Sequence, residues 1–149
     1  MAITKYPPNT IWLGGPRTEI GDLAAKEVIT PGMLVERINT AGVWQWRKHA
    51  TAAGAGVRAV ATEQSMLNKG VDIDYAAGDL MEVSELAGGS SAWMLIASGQ
   101  NIVFGQNLES AGNGTLRAIA AGVALFQALE TKNNSAGPGN ARIRVNAVP

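Results

Sequence analysis

From Val28 onward the chain reads as short apolar runs cut by turn residues. Val28-Ile29-Thr30 stops at Pro31-Gly32, a strong turn dipeptide, and Met33-Leu34-Val35-Glu36 follows. Val43-Trp44-Gln45-Trp46-Arg47 comes next, then the Gly/Ala-rich link Ala52 to Gly56 and the run Val57-Arg58-Ala59-Val60-Ala61. Further runs are Leu80-Met81-Glu82-Val83, Ala92-Trp93-Met94-Leu95-Ile96 and Thr115-Leu116-Arg117-Ala118-Ile119. Ala141-Arg142-Ile143-Arg144-Val145-Asn146-Ala147 alternates cleanly with period two, the signature of a half-buried strand. Many short strands with frequent turn signals predict a sandwich or a barrel.

Two stretches are ambiguous. Val57 to Asn68 fits either a helix or a strand, since Val57, Val60, Ala61 and Leu67 share a helical face. Ala118 to Glu130 is rich in Ala and Leu, but Gly122 in a helix interior would cost about 1 kcal/mol, so a strand is preferred for Val123 to Glu130. Asn133 to Asn140 is an exposed loop by composition.

Residues 1–27 differ from the rest. Pro7-Pro8 and Gly14-Gly15-Pro16 disfavour regular structure, and Tyr6, Ile11, Trp12, Leu13 and Ile20 are scattered among them. An extended arm that orders against another surface and a disordered terminus both fit. Trp12 favours the arm, because disordered segments are poor in aromatics. The expected division is an arm over 1–27 and a β-rich domain over 28–149.

Composition narrows the function classes. A chain of 149 residues can bury roughly two-thirds of its unfolded surface, enough for a real core. It has no cysteine, which removes thiol catalysis, disulfides and cysteine-based metal centres. Lys plus Arg and Asp plus Glu stand at 12 each, without the basic excess of a duplex-binding protein. Zero net charge also does little to oppose self-association, which suits an assembly component. No apolar run approaches the roughly 18 residues of a membrane-spanning helix. Met1 to Pro8 has no apolar stretch, so no secretion signal is expected there.

Candidate chemistry is thin. His49 is the sole histidine and sits beside Arg47 and Lys48, a poor setting for a general base; it reads as a solvated loop residue. Gly54-Ala55-Gly56-Val57-Arg58-Ala59 matches the loose dinucleotide pattern but lacks a preceding strand, so it reads as a flexible loop. Asp72, Asp74 and Asp79 fail the EF-hand spacing, since Ala77 and Val83 occupy the positions for Gly and Glu. Trp44 and Trp46 lie two apart and so share one face of a strand, with Arg47 adjacent. They suit core or subunit-contact packing more than a ligand platform. Arg142 and Arg144 alternate with Ile143 and Val145, a basic face open to an acidic partner or to solvent. No catalytic, cofactor or metal residues are assigned.

The order of several segments then carries a resemblance. Ile29-Thr30-Pro31-Gly32-Met33-Leu34-Val35-Glu36, Ala61-Thr62-Glu63-Gln64, Gly70 to Asp79, Leu108 to Arg117 and Ala141 to Val145 together resemble the capsid decoration, or cement, proteins of tailed bacteriophages. The resemblance covers about Val28 to Val148. It implies a compact β-sandwich or barrel-like, β-tulip-like domain with at most one short helix and an extended N-terminal arm. It further implies a homotrimer on the outer capsid surface of the virion, bound to the major capsid protein of the mature head and bracing it against DNA pressure. No enzyme activity, direct nucleic-acid partner or membrane partner is implied. Tyr6, Ile11, Trp12, Leu13, Trp44, Trp46 and Arg47 are the expected capsid or subunit contacts, and deletion of residues 1–20 is expected to leave a folded domain but to weaken capsid binding. The reading from another class is a β-sandwich binding module for glycans or host surfaces on exposed Trp44 and Trp46.

Overall fold

A computed structural model describes residues 8–149 and contains strands throughout. In chain order they are β1 (Trp12–Gly14), β2 (Arg17–Ile20), β3 (Ala24–Ala25), β4 (Leu34–Thr40), β5 (Val43–Lys48), β6 (Ala59–Ala61) and β7 (Val83–Leu86). The remainder are β8 (Ser91–Ile96), β9 (Asn101–Ile102), β10 (Asn107–Ser110), β11 (Leu116–Ala118), β12 (Phe126–Ala128), β13 (Lys132–Asn133) and β14 (Ala141–Ala147). One 3-10 turn, Ser65–Leu67, is the sole helical element among the described residues. The mainly β reading with at most one short helix therefore holds.

Five strands close on themselves. β8 pairs antiparallel with β14, β14 with β12, β12 with β10 and β10 with β11, and Leu116 of β11 meets Ile96 of β8 in parallel. The period-two pattern suits the closure, because a consistent register puts one alternating apolar set inside, while Leu95 of β8 turns to the second core. Met94 faces Ile143, Ala92 faces Val145, Ala147 faces Phe126, Leu108 pairs with Phe126, and Leu116 pairs with Ile96. All of these residues are buried in one cluster. A five-stranded barrel leaves no room for a channel, so side chains fill it.

The second sheet runs β2-β7-β6-β4-β5-β3. It serves two cores. Leu34, Val60 and Leu86 press on the barrel side, while Val35, Ala59, Ala61, Val83 and Trp46 enclose a second core with Ile29, Tyr75 and Met81. Within Val57 to Asn68 the strand covers Ala59–Ala61 and a 3-10 turn covers Ser65–Leu67. Ala59 and Ala61 belong to one core and Val60 to the other, and only strand alternation divides neighbours that way. The expected run at Leu80 starts later as a strand, at Val83. Leu80 instead forms a single bridge to Ala24, and the Met81 N–H donates to the Leu23 carbonyl. The strand preferred within Val123 to Glu130 is present, shortened to β12. Gly122 has a positional reason, since a Cβ there would collide with Ala53 and the Glu109 carboxylate.

The division at residue 27 does not follow the packing. From Ile11 the segment is extended, but it lies within the body. Ile11 is fully buried in the barrel-side core, and its carbonyl accepts from Trp93 N–H at 2.7 Å. β1 pairs with β8, β2 with β7 and β3 with β5. Isolated apolar residues in a Gly/Pro-rich stretch are enough here, because existing sheet edges supply the hydrogen-bond partners. Tyr6 lies outside the described residues.

Candidate binding surface

The surface carrying Trp44 is built by the β4–β5 hairpin. Six residue pairs run from Val35 opposite Lys48 to Thr40 opposite Val43. The connection is two residues, Ala41 at φ 51° and Gly42 at φ 86°. Positive φ at both positions is what a type I′ turn needs, and its twist matches the strands it joins. The Asn39 side chain accepts from Gly42 N–H at 2.9 Å and steadies the tip.

This register puts Arg37 opposite Trp46 and Asn39 opposite Trp44, all on one face. The shared face expected for the two tryptophans is therefore present, but their environments differ. Trp46 is 1% exposed and is the largest residue of the second core, whereas Trp44 is 55% exposed near the hairpin tip. An exposed pair is thus ruled out, because the second core encloses Trp46 and leaves Trp44 outside. Arg37 spans the transition. Its guanidinium lies 5.2 Å from the Trp46 ring and donates to Glu85 at 2.7 Å. Cavities of about 460 Å³ flank it on either side. Ile20, Asp22, Leu23, Arg37 and Trp44 line the first, and the second includes Trp46, Val57 and Glu85.

Arg47 faces the other way and pairs with Glu36 at 2.9 Å. Trp12 and Leu13 are half-buried; Arg17 stacks 4.0 Å from the Trp12 ring, and Trp12 Nε1 donates to the Gly15 carbonyl. Of the expected contacts, Trp12, Leu13, Trp44 and Arg47 keep accessible surface, while Ile11 and Trp46 do not. Arg37 and Asp22 were not anticipated. The turn dipeptide Ala41-Gly42 would have revealed Arg37, because it sets the register that brings Arg37 to Trp46.

His49 is not a solvated loop residue. It is 1% exposed, with Nδ1 2.7 Å from Ser110 Oγ, Nε2 3.3 Å from the Ala55 carbonyl and 3.9 Å from Glu36. The grouping has the residue types of a hydrolytic triad, but Ser110 is fully buried and its oxygen accepts from Gly112 N–H. The hydroxyl is closed to a substrate carbonyl, and the cluster instead joins the end of β5 to β10. Glu109, also fully buried, accepts from Arg117 at 2.8 Å and from Gly122 N–H at 2.8 Å. Burial by itself would raise this carboxyl. The hydrogen bonds from Arg117, Gly122 and Ala120 and the Arg117 charge outweigh it and hold the carboxyl below its usual range.

The basic face of β14 is satisfied internally. Arg142 donates to the carbonyls of Pro31 and Val71 at 2.6 and 2.7 Å and lies over Trp93, while Arg144 pairs with Glu130 at 2.9 Å. Asp79 caps its own turn by accepting from Ala76 N–H. No cluster of three acidic or histidine side chains that could hold a metal occurs among the described residues.

No family model matches the chain, and no curated protein matches it. A solved structure does. The head fiber gp8.5 N base of bacteriophage phi29 aligns at a TM-score of 0.60, over 89% of this chain and 94% of that chain, with 14% sequence identity. The likeness is one of fold. The match takes in both the barrel and the second sheet, because so little of either chain falls outside it.

Proposed function

We propose that this chain is a non-catalytic structural component of a tailed-phage head, a decoration protein that binds the outer surface of the mature capsid. It engages the major capsid protein, assembles as a homotrimer and braces the head against internal DNA pressure. The observation that carries this reading is the near end-to-end likeness to a head-fiber base, found in a chain whose segment order already resembles cement proteins. Zero net charge suits a protein that ends in an assembly. Repetition over a symmetric lattice multiplies modest contacts through avidity.

Co-sedimentation with expanded and unexpanded heads of the phage that encodes the chain tests this. Saturable binding to expanded heads alone, at a fixed ratio to the major capsid protein, is expected. Absence from both forms overturns the proposal. Light scattering of the free and released protein reads the trimer separately.

A further inference from the structure

The cavity beside Trp44 has the makeup of a sugar site, and nothing in the head-decoration reading requires it. We infer that Trp44, Asp22 and Arg37 bind a neutral saccharide unit at the hairpin side of the second sheet.

Three observations lead there. The site is a depression of about 460 Å³ that opens to solvent, large enough for a sugar ring. Trp44 is 55% exposed on a rigid two-residue hairpin, so its ring is held out at no cost to the core. The polar groups at the rim are planar forks. Asp22 presents an exposed carboxylate, which accepts from two hydroxyls. Arg37 is fixed by Glu85 through one nitrogen and by stacking over Trp46, which leaves further N–H donors for a ligand.

Charge disfavours ligands that carry a single sign. A cation of the choline type would gain from Trp44 and Asp22 but would meet the Arg37 guanidinium. A phosphate or carboxylate would gain from Arg37 but meet Asp22. A neutral polyol suits both, donating hydroxyls to Asp22 and accepting from Arg37. The weakly positive C–H face of a sugar ring also complements the negative face of an indole. Ile20 and Leu23 supply apolar wall for the rest of the ring. Trp46 takes no part, being closed within the core.

The test is a titration of the full chain followed by the indole N–H resonances of its four tryptophans. The probes are glucose, galactose, mannose, N-acetylglucosamine and oligomers of the last, with choline and inorganic phosphate as controls. Trp44→Phe assigns the Trp44 signal. At least one neutral saccharide should shift that signal saturably, with affinity near about 1 mM. Asp22→Ala should weaken the binding by about tenfold or more. Failure of every saccharide to move the Trp44 signal overturns the inference, as does a response to choline or phosphate instead. So does binding that persists unchanged in Trp44→Ala. Capsid binding is read independently, so either proposal can fail without the other.

Discussion

At the scale of single residues, Trp44 and Trp46 show how two positions on one strand face reach opposite fates. Trp46 is sealed among Ala25, Val35, Ala61, Tyr75 and Met81, while Trp44 stands beyond the core margin. Trp46→Ala should therefore cost about 3–5 kcal/mol, the range for emptying an aromatic site in a core. Trp44→Ala should stay within about 0.5 kcal/mol, as an exposed substitution does. Urea unfolding of both variants checks this; equal losses would mean that Trp44 is packed in solution. The residues that carried the resemblance also have local work. Glu63 accepts from Thr10 Oγ1 and Ile11 N–H, Thr62 and Gln64 donate to the carbonyls of Glu82 and Leu80, and the Thr62 carbonyl accepts from the Tyr75 hydroxyl. Burial pushes that hydroxyl up to about 12, so it remains a donor across the physiological range.

Among the elements, the joint between β10, β11 and the loop at Gly122 depends on Glu109. Its carboxyl is depressed in the folded state, so its stabilisation is complete above its unfolded value of about 4.3 and fades as pH falls through the lower folded value. Glu109→Gln removes the charge opposite Arg117 and leaves one acceptor oxygen for the two donors, Arg117 and Gly122 N–H. The variant should melt below the parent at neutral pH, and the gap should narrow below about pH 4.3. Thermal melts across pH 3 to pH 7 (about the range over which a carboxylate titrates) read this, and a gap of constant size would remove Glu109 from the acid response. The alternation of β14 and the turn at Pro31-Gly32 were legible along the chain. Their connection was not, since Arg142 reaches the carbonyls of Pro31 and Val71 through the tertiary fold, 111 and 71 residues away in the chain.

For the whole molecule, the first described residues from Ile11 onward belong to the folded body. Deletion of residues 1–20 removes Ile11 from the core, takes β1 and β2 from the sheet edges and leaves Trp93 N–H without its acceptor. Burial of the Ile11 side chain alone contributes about 1.5–3 kcal/mol. The truncated chain should melt well below the full chain or fail to fold, in place of the folded domain expected from sequence. Circular dichroism of the two chains settles it; an unchanged melting temperature would show that β1 and β2 only rest on the surface.

The sequence by itself determined the β class, because a period of two is a local property that each run displays alone. It also determined the turns at Pro31-Gly32 and Asp79, and the order of segments that resembles a phage decoration protein. Tertiary structure alone decided which strands share a sheet, that five of them close into a barrel, and that a second sheet faces two cores. It also decided that His49 is buried against Ser110, and that Trp46 is covered while Trp44 is left open beside Arg37 and Asp22. Alternation says which residues share a face; only the curvature and closure of the sheets say what covers it, and those depend on partners distant in the chain.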